Sequence, residues 1–375
     1  MNTKISEKQI NKTADKASVK TVDKPIIPGP TYFVILAVTV ILLLSFTVAF
    51  FAVFGMNAVQ SNSSNSNADD IPLGNTPSGE DPKKPSGVIG GGRSVKGNLL
   101  GKTAAKRSNY ISGTSSNVAN ISDMCDVDNV ILVDLDSYES IAEKMADTKI
   151  YPASMTKVMS LLVACENLKS LNTKLTVTKK VVDYAWEMEG SLFGVKQGDE
   201  LDTQDLLYLT SYYSDTVAVL MLAEHIAGSE EAFVKLMNDK ARALNLDNTH
   251  FDNCTGLYSD DNYTTCREMA AIMAYALENP LCKELLTNID PYKFTTNSGS
   301  YTLWSPSWYR DRLSSKPKLN TVTVMGGKTG YIDESGYCLV SYAVGASSGK
   351  RYIQVVVGDN RASENVKYVY NNFAN

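Results

Sequence analysis

Histidine is nearly absent from this sequence: 375 residues carry two, His225 and His250. Neither stands in an H-E-x-x-H or other metal-ligand spacing, which argues against a zinc hydrolase. Six cysteines, at 125, 165, 254, 266, 282 and 338, form no C-x-x-C. Positive charge is not in excess either. Lys plus Arg number 36 against 41 Asp plus Glu, a net charge of −5, so no nucleic-acid partner is expected. No internal repeat is apparent. Apolar residues are not lacking: at 43% they suffice for a sizeable core, and the length fits one large domain or two ordinary ones.

Four segments follow from composition. Residues 1–31 are polar, with lysines at every fourth position from Lys4 to Lys24, and read as a cytoplasmic tail. Tyr32 to Phe54 is an uncharged apolar run of 23 residues, long enough to span a bilayer. The exit Phe54-Gly-Met-Asn-Ala-Val is a poor cleavage site. Lysines precede the run and Asp69 and Asp70 follow it, so the positive-inside rule predicts an uncleaved signal anchor, N-terminus inside. Residues 55–117 hold Ser61 to Asn67, four prolines and Gly90-Gly-Gly92, too little apolar matter for a core; they read as an extracytoplasmic flexible linker. The composition turns globular near Asn117, and 118–375 is expected to be one globular domain on the outer side of the membrane.

Within it, Val130–Leu135 and Ser140–Met145 flank a polar turn and predict a β-hairpin. Helical patterns cover Asp205–His225, Glu230–Leu244 and Cys266–Leu277, and strands return at Val322–Met325, Tyr337–Val344 and Tyr352–Val357. A last helix is expected over Ala362–Phe373. Strands at both ends around a helical middle imply an α+β domain whose terminal segments share an antiparallel sheet. Cys165 and Cys338 sit in apolar runs and read as buried thiols. Cys254 and Cys266 are close enough in sequence to bridge; spacing alone leaves that open.

The chemistry centres on Tyr151-Pro-Ala-Ser-Met-Thr-Lys-Val-Met-Ser-Leu-Leu-Val-Ala-Cys165. Pro152 sets up a helix start, and the run beyond it is apolar almost all round, as in a helix buried inside a domain. Lys157 is its one charge. Three residues apart on a helix, Ser154 and Lys157 share a face. Burial lowers a lysine's pKa, and a neutral amine beside a hydroxyl can take its proton without any histidine. Backbone N–H groups at the helix start lie ready for an oxyanion. Ser-x-x-Lys alone is a weak signal, because a lysine that snorkels to water beside an ordinary serine fits it too.

Two further places add to it. In Met325-Gly-Gly-Lys-Thr-Gly-Tyr331, glycines surround Lys328 and Thr329 between strand-like runs, so a substrate backbone can lie against a strand edge. Lysine and threonine there offer a cation and a hydroxyl for a carboxylate. A phosphate loop needs a glycine at 322 and a following helix; 322 is Val and a strand-like run follows. Between Leu206 and Gly228, hydroxyls at Ser211, Ser214 and Thr216 cluster between two helical patterns, which an ordinary capping turn also explains.

In this order the three places resemble the motifs S-x-x-K, S-D-N and K-T-G of penicillin-interacting serine enzymes. More narrowly, residues 120–370 look like the low-molecular-mass penicillin-binding proteins, the serine D-alanyl-D-alanine carboxypeptidases. Gly194-Val-Lys-Gln-Gly-Asp, Ala223-Glu-His-Ile-Ala-Gly and Thr249-His-Phe-Asp-Asn-Cys-Thr-Gly-Leu257 add to the likeness. It implies a β-lactamase/transpeptidase-like fold, an antiparallel five-stranded sheet with helices on both faces plus an all-helical lobe. It implies Ser154 as acylated nucleophile, Lys157 as base and Ser214 as the third catalytic group. Lys328, Thr329 and Gly330 would hold the substrate's carboxylate, and the N–H groups of Ser154 and Tyr331 the oxyanion. Substrates would be peptidoglycan pentapeptide stems, β-lactams would be covalent inhibitors, and no cofactor or metal is implied. The second motif departs from the pattern: its usual asparagine falls on Thr216, with one short hydroxyl in place of an amide. The family's trailing β-domain and C-terminal amphipathic anchor have no counterpart here, and the N-terminal helix would stand in for the anchor. A β-lactamase of class A needs a Glu-x-x-Leu-Asn stretch, which does not occur between Ser154 and Lys328. A weakly active binder of wall peptides is the other alternative, kept open by Thr216.

Overall fold

The computed structural model describes residues 100–103, 110, 113–121, 127–304, 319–358 and 364–374. The expected tail and membrane span lie outside them, and among the described residues no helix is long and apolar enough to cross a membrane.

Ten strands and eight α-helices are described. In chain order they are β1 (Gly113–Asn120), β2 (Asn129–Asp134), β3 (Glu139–Lys144), α1 (Lys157–Asn167), β4 (Lys174–Thr176) and α2 (Lys179–Glu187). Next come β5 (Glu200–Asp202), α3 (Thr203–Tyr212), α4 (Thr216–Ala227), α5 (Glu230–Ala243), α6 (Cys266–Ala276) and α7 (Pro280–Thr287). The chain closes with β6 (Tyr292–Thr296), β7 (Gly299–Leu303), β8 (Val322–Ile332), β9 (Gly336–Gly345), β10 (Arg351–Val357) and α8 (Glu364–Phe373).

The main sheet has six strands in the order β1-β3-β2-β10-β9-β8, and β1 runs parallel to β3. This corrects the expected five-stranded antiparallel sheet. The five apolar strands are those anticipated, and they pair antiparallel. The sixth, Gly-Thr-Ser-Ser-Asn-Val-Ala-Asn, has no apolar alternation to betray it. As an edge strand it needs none, because only one of its sides must pair. It begins inside the stretch that read as linker.

Alternation on β10 assigns the two faces. Ile353, Val355 and Val357 join the core under the helical lobe, while Tyr352 and Val356 join a smaller core with Val366, Val369 and Tyr370 of α8. Each such side chain, fully buried, contributes roughly 1.5–3 kcal/mol. Helix α1 runs through the lobe against α3, α4, α5, α6 and α7, and every residue from Lys157 to Glu166 is buried. Its all-round apolar surface is thereby explained.

At the far end of α1 the described segment 100–103 is fastened down. Gly101 N–H donates to Cys165 O at 3.3 Å, and Thr103 N–H to Glu166 Oε1 at 3.1 Å. The same Glu166 pairs with Lys240 at 2.6 Å. The helical pattern over 205–225 is two helices, α3 and α4, broken at Tyr213-Ser-Asp215. Ser214 takes the left-handed φ of 57°, and Asp215 caps α4 by accepting from Ala218 N–H at 2.7 Å. Cys254 and Cys266 are both buried free thiols, as are Cys165 and Cys338.

Candidate active site

Ser154 lies in a 3-10 turn, Ala153–Thr156, that leads into α1, and it stays partly exposed while its neighbours are buried. The backbone that presents it is tightly held. Ala153 has φ 47°, a left-handed conformation costing an alanine of the order of 1–2 kcal/mol. Two glycines make room for it. A Cβ on Gly256 would lie 2.0 Å from Ala153 O, and one on Gly330 would lie 2.9 Å from Ser154 N. Gly330 thus sets the edge of β8 directly against the backbone N–H of Ser154.

Lys157 is 1% exposed. Its Nζ donates to Ser154 Oγ at 3.2 Å and to Thr255 O at 2.5 Å. Burial lowers its pKa to about 8, with Cys254 and Asp215 pulling the other way. Burial pushes Cys254 itself well above its ordinary value, so it is a thiol at neutral pH and Asp215 supplies the effective charge. On the opposite wall, Lys328 Nζ donates to Ser214 Oγ at 3.0 Å and to Thr329 O at 2.9 Å. Burial first, then the charge of Lys157, holds Lys328 well below the usual lysine range. Two serine–lysine pairs therefore stand close enough for the charge of one lysine to act on the other, one pair from the start of α1 and one joining β8 to the α3–α4 break.

The structure brings together Ser154, Lys157, Ser214, Lys328 and Gly330. Thr329 is half-buried beside them, and Tyr331 is 54% exposed at the end of the same strand edge. Thr216 is placed differently. It is 1% exposed, and its hydroxyl has no hydrogen-bond partner. Its side chain packs on the loop before β5, where a Cβ on Gly190 would lie 2.6 Å from Thr216 Oγ1. Its N–H donates to Ser191 O at 2.8 Å.

Sequence reasoning assigned no role to Thr255 or Gly256, and none beyond a helix-capping turn to Asp215. A signal for the first two was present in Asn253-Cys-Thr-Gly256: Asn253 Oδ1 accepts from Gly256 N–H at 2.7 Å and Thr255 N–H at 3.2 Å, an Asx turn. Asp215 is 0% exposed and accepts from Phe193 N–H at 2.6 Å as well as from the helix it caps. Burial raises its pKa, and those N–H bonds oppose the rise. Among the described residues no group of three His, Cys, Asp or Glu is arranged to hold a metal ion.

A mixed sheet against a helical lobe, with a serine and a buried lysine opening the helix between them, is the architecture of the penicillin-interacting DD-peptidases. The Streptomyces K15 DD-transpeptidase crystal structure is similar over 65% of this chain and 94% of its own, at TM-score 0.58 and 25% identity. A D-alanyl-D-alanine carboxypeptidase from Mycobacterium tuberculosis is similar in fold at TM-score 0.58 and 23% identity, over 68% and 94% of the two chains. The family model of peptidase S11, D-alanyl-D-alanine carboxypeptidase, matches residues 116–361, and the chain belongs to that family. The Bacillus subtilis D-alanyl-D-alanine carboxypeptidase DacF is 34% identical over 63% of this chain and 58% of its own length. Escherichia coli DacA is 30% identical over 69% and 64%. The chain spans less than two thirds of the length of these relatives.

Proposed function

We propose that this protein is a membrane-anchored serine D-alanyl-D-alanine carboxypeptidase that removes the terminal D-alanine from peptidoglycan pentapeptide stems. One observation carries the reading: a lysine whose pKa is lowered to about 8 lies 3.2 Å from the hydroxyl of Ser154. Neutral Lys157 takes the Ser154 proton as Oγ attacks the carbonyl carbon of the penultimate D-alanine. The oxyanion is held by the N–H groups of Ser154 and Tyr331, since Gly330 seats the β8 edge on Ser154. The C–N bond breaks as the proton taken by Lys157 passes to the leaving amine, with the Ser214 hydroxyl, itself held by Lys328 Nζ, as the relay, which leaves Lys157 neutral again. Water then cleaves the acyl-serine with Lys157 again as base. Lys328 and Thr329 offer a cation and a hydroxyl to the terminal carboxylate. A β-lactam forms the same acyl bond and stays, so it is a covalent inhibitor. No cofactor or metal enters any step.

Residues 32–54 would anchor the protein in the cell membrane with the catalytic domain outside; the uncharged run behind a lysine-rich segment supports this. Protease added to wall-stripped cells should release a soluble domain, and protection of that domain would refute the topology. For the chemistry, fluorescent penicillin should label the wild-type protein and leave Ser154→Ala unlabelled, while D-alanine is released only by the former. Equal labelling of both would remove Ser154 from the mechanism.

A further inference from the structure

The cysteines at 165, 254, 266, 282 and 338 are all buried thiols, and the chemistry above uses none of them. Two of them meet. Cys165 lies in the last turn of α1 and Cys282 in the first turn of α7, both 0% exposed. Their thiols are hydrogen-bonded to each other. A short chain of bonds also ties the backbone around the pair. Asn279, the cap of α7, accepts from Cys282 N–H at 3.0 Å. Its amide donates to Gly101 O at 3.4 Å, and Gly101 N–H donates to Cys165 O at 3.3 Å. The segment 100–103 thus lies across both helix ends. Other thiols are directed elsewhere: Cys254 donates to Glu230 Oε1 at 3.3 Å, and Cys338 to Ser335 Oγ at 3.4 Å.

A covalent link at this point would join the two sides of the active site. Helix α1 begins at Lys157. Helix α7 backs the other side, because a Cβ on Gly326, in β8 just before Lys328, would lie 2.1 Å from Leu286 O. Ser211, at the end of α3, donates to Leu285 O of the same helix at 2.6 Å.

We propose that Cys165 and Cys282 are a disulfide site that staples α1 to α7, the paired thiols being its reduced form. Two S–H bonds break and one S–S bond forms by exchange with a small-molecule disulfide. That oxidant takes both electrons and both protons and leaves as two thiols. Burial first, then the Cys282 thiol, pushes the Cys165 pKa well above its ordinary value, so exchange is slow in the closed fold. The bond forms as the chain folds, or when the segment 100–103 opens. The inference is independent of the peptidase reading and takes its oxidising compartment from the outward topology.

The test maps thiols on the full-length protein, taken from membranes quenched in acid and alkylated with N-ethylmaleimide under denaturing conditions. The expected product is a peptide pair joined through Cys165 and Cys282, lighter by two hydrogens than the separate peptides. If both cysteines are alkylated instead, the purified protein is held with oxidised glutathione in sub-denaturing urea. Linkage then keeps the site and counts against the outward topology; continued alkylation of both, or linkage of either to another cysteine, overturns the proposal. The bond closes a loop of about a hundred residues, so dithiothreitol should lower the Tm of the linked protein by about 5–15 °C. Cys165→Ala and Cys282→Ala should show no such shift. A linked protein whose Tm ignores dithiothreitol, or an equal fall in the two variants, would overturn the staple.

Discussion

Thr216→Val separates two accounts of the second motif. By resemblance to the family, Thr216 should touch substrate; in the fold, its hydroxyl is sealed against Gly190 with no partner. A buried hydroxyl that makes no hydrogen bond costs roughly 1–3 kcal/mol of desolvation. Valine has the same shape, so replacing the hydroxyl by a methyl removes that cost and adds a buried methyl. The expected outcome is a gain of about 1–3 kcal/mol in stability. For a domain of this size, each kcal/mol moves Tm by about 2–4 °C, so a rise of about 2–12 °C is expected by calorimetry. The rate of acylation by fluorescent penicillin should change less than about twofold, well under the tenfold that 1.4 kcal/mol would bring. A lower Tm together with a tenfold slower acylation would refute the reasoning and return Thr216 to the substrate.

Three other outcomes are expected. Acylation should rise with pH through about 8 and level off above it, since Lys157 acts as a neutral base with its pKa lowered by burial; a rate already flat from pH 6 to 9 counts against it as base. The same shift has a sign in stability. Between about 8 and the ordinary lysine value of 10.5 the unfolded chain binds more protons, so Lys157's contribution grows as pH rises through that window, readable in urea midpoints against Lys157→Met. Gly256→Ala should destabilise the domain and nearly abolish penicillin labelling, because its Cβ would lie 2.0 Å from Ala153 O at a φ of +78°. A variant labelled at the wild-type rate would show that this clasp does not hold Ser154.

How far the sequence could be read depended on whether a signal was local. The apolar runs of β2, β9 and β10 were legible because burial on both faces leaves nearly continuous hydrophobics, while β3 and β8, partly exposed, showed shorter apolar stretches. The helices α5 and α6 were legible from their helical period. β1 was not, being polar and at an edge; nor were the β6–β7 hairpin and α7, whose short patterns depend on tertiary contacts. At the site, Ser154, Lys157, Ser214 and Lys328 were found because their spacings follow a family order, and the fold brings them within hydrogen-bond reach in two pairs. The direction in which Thr216 points could not be read. It depends on Gly190, 26 positions earlier, whose missing side chain makes the space. Asp215 looked like a helix cap and is one; that its second oxygen holds Phe193 is a contact between segments that no local pattern encodes.

The two buried amines also tie the form of the substrate to its grip. Burial first, then the charge of Lys157, holds Lys328 low, so an amine in that place is costly to keep as a cation until an anion arrives. On this hypothesis a free terminal carboxylate supplies the counter-ion, and the site selects peptides with an unblocked end. A peptide ending in an amide misses that grip. Its KM should therefore rise well above that of the free acid; equal KM values would mean Lys328 does not meet the terminus.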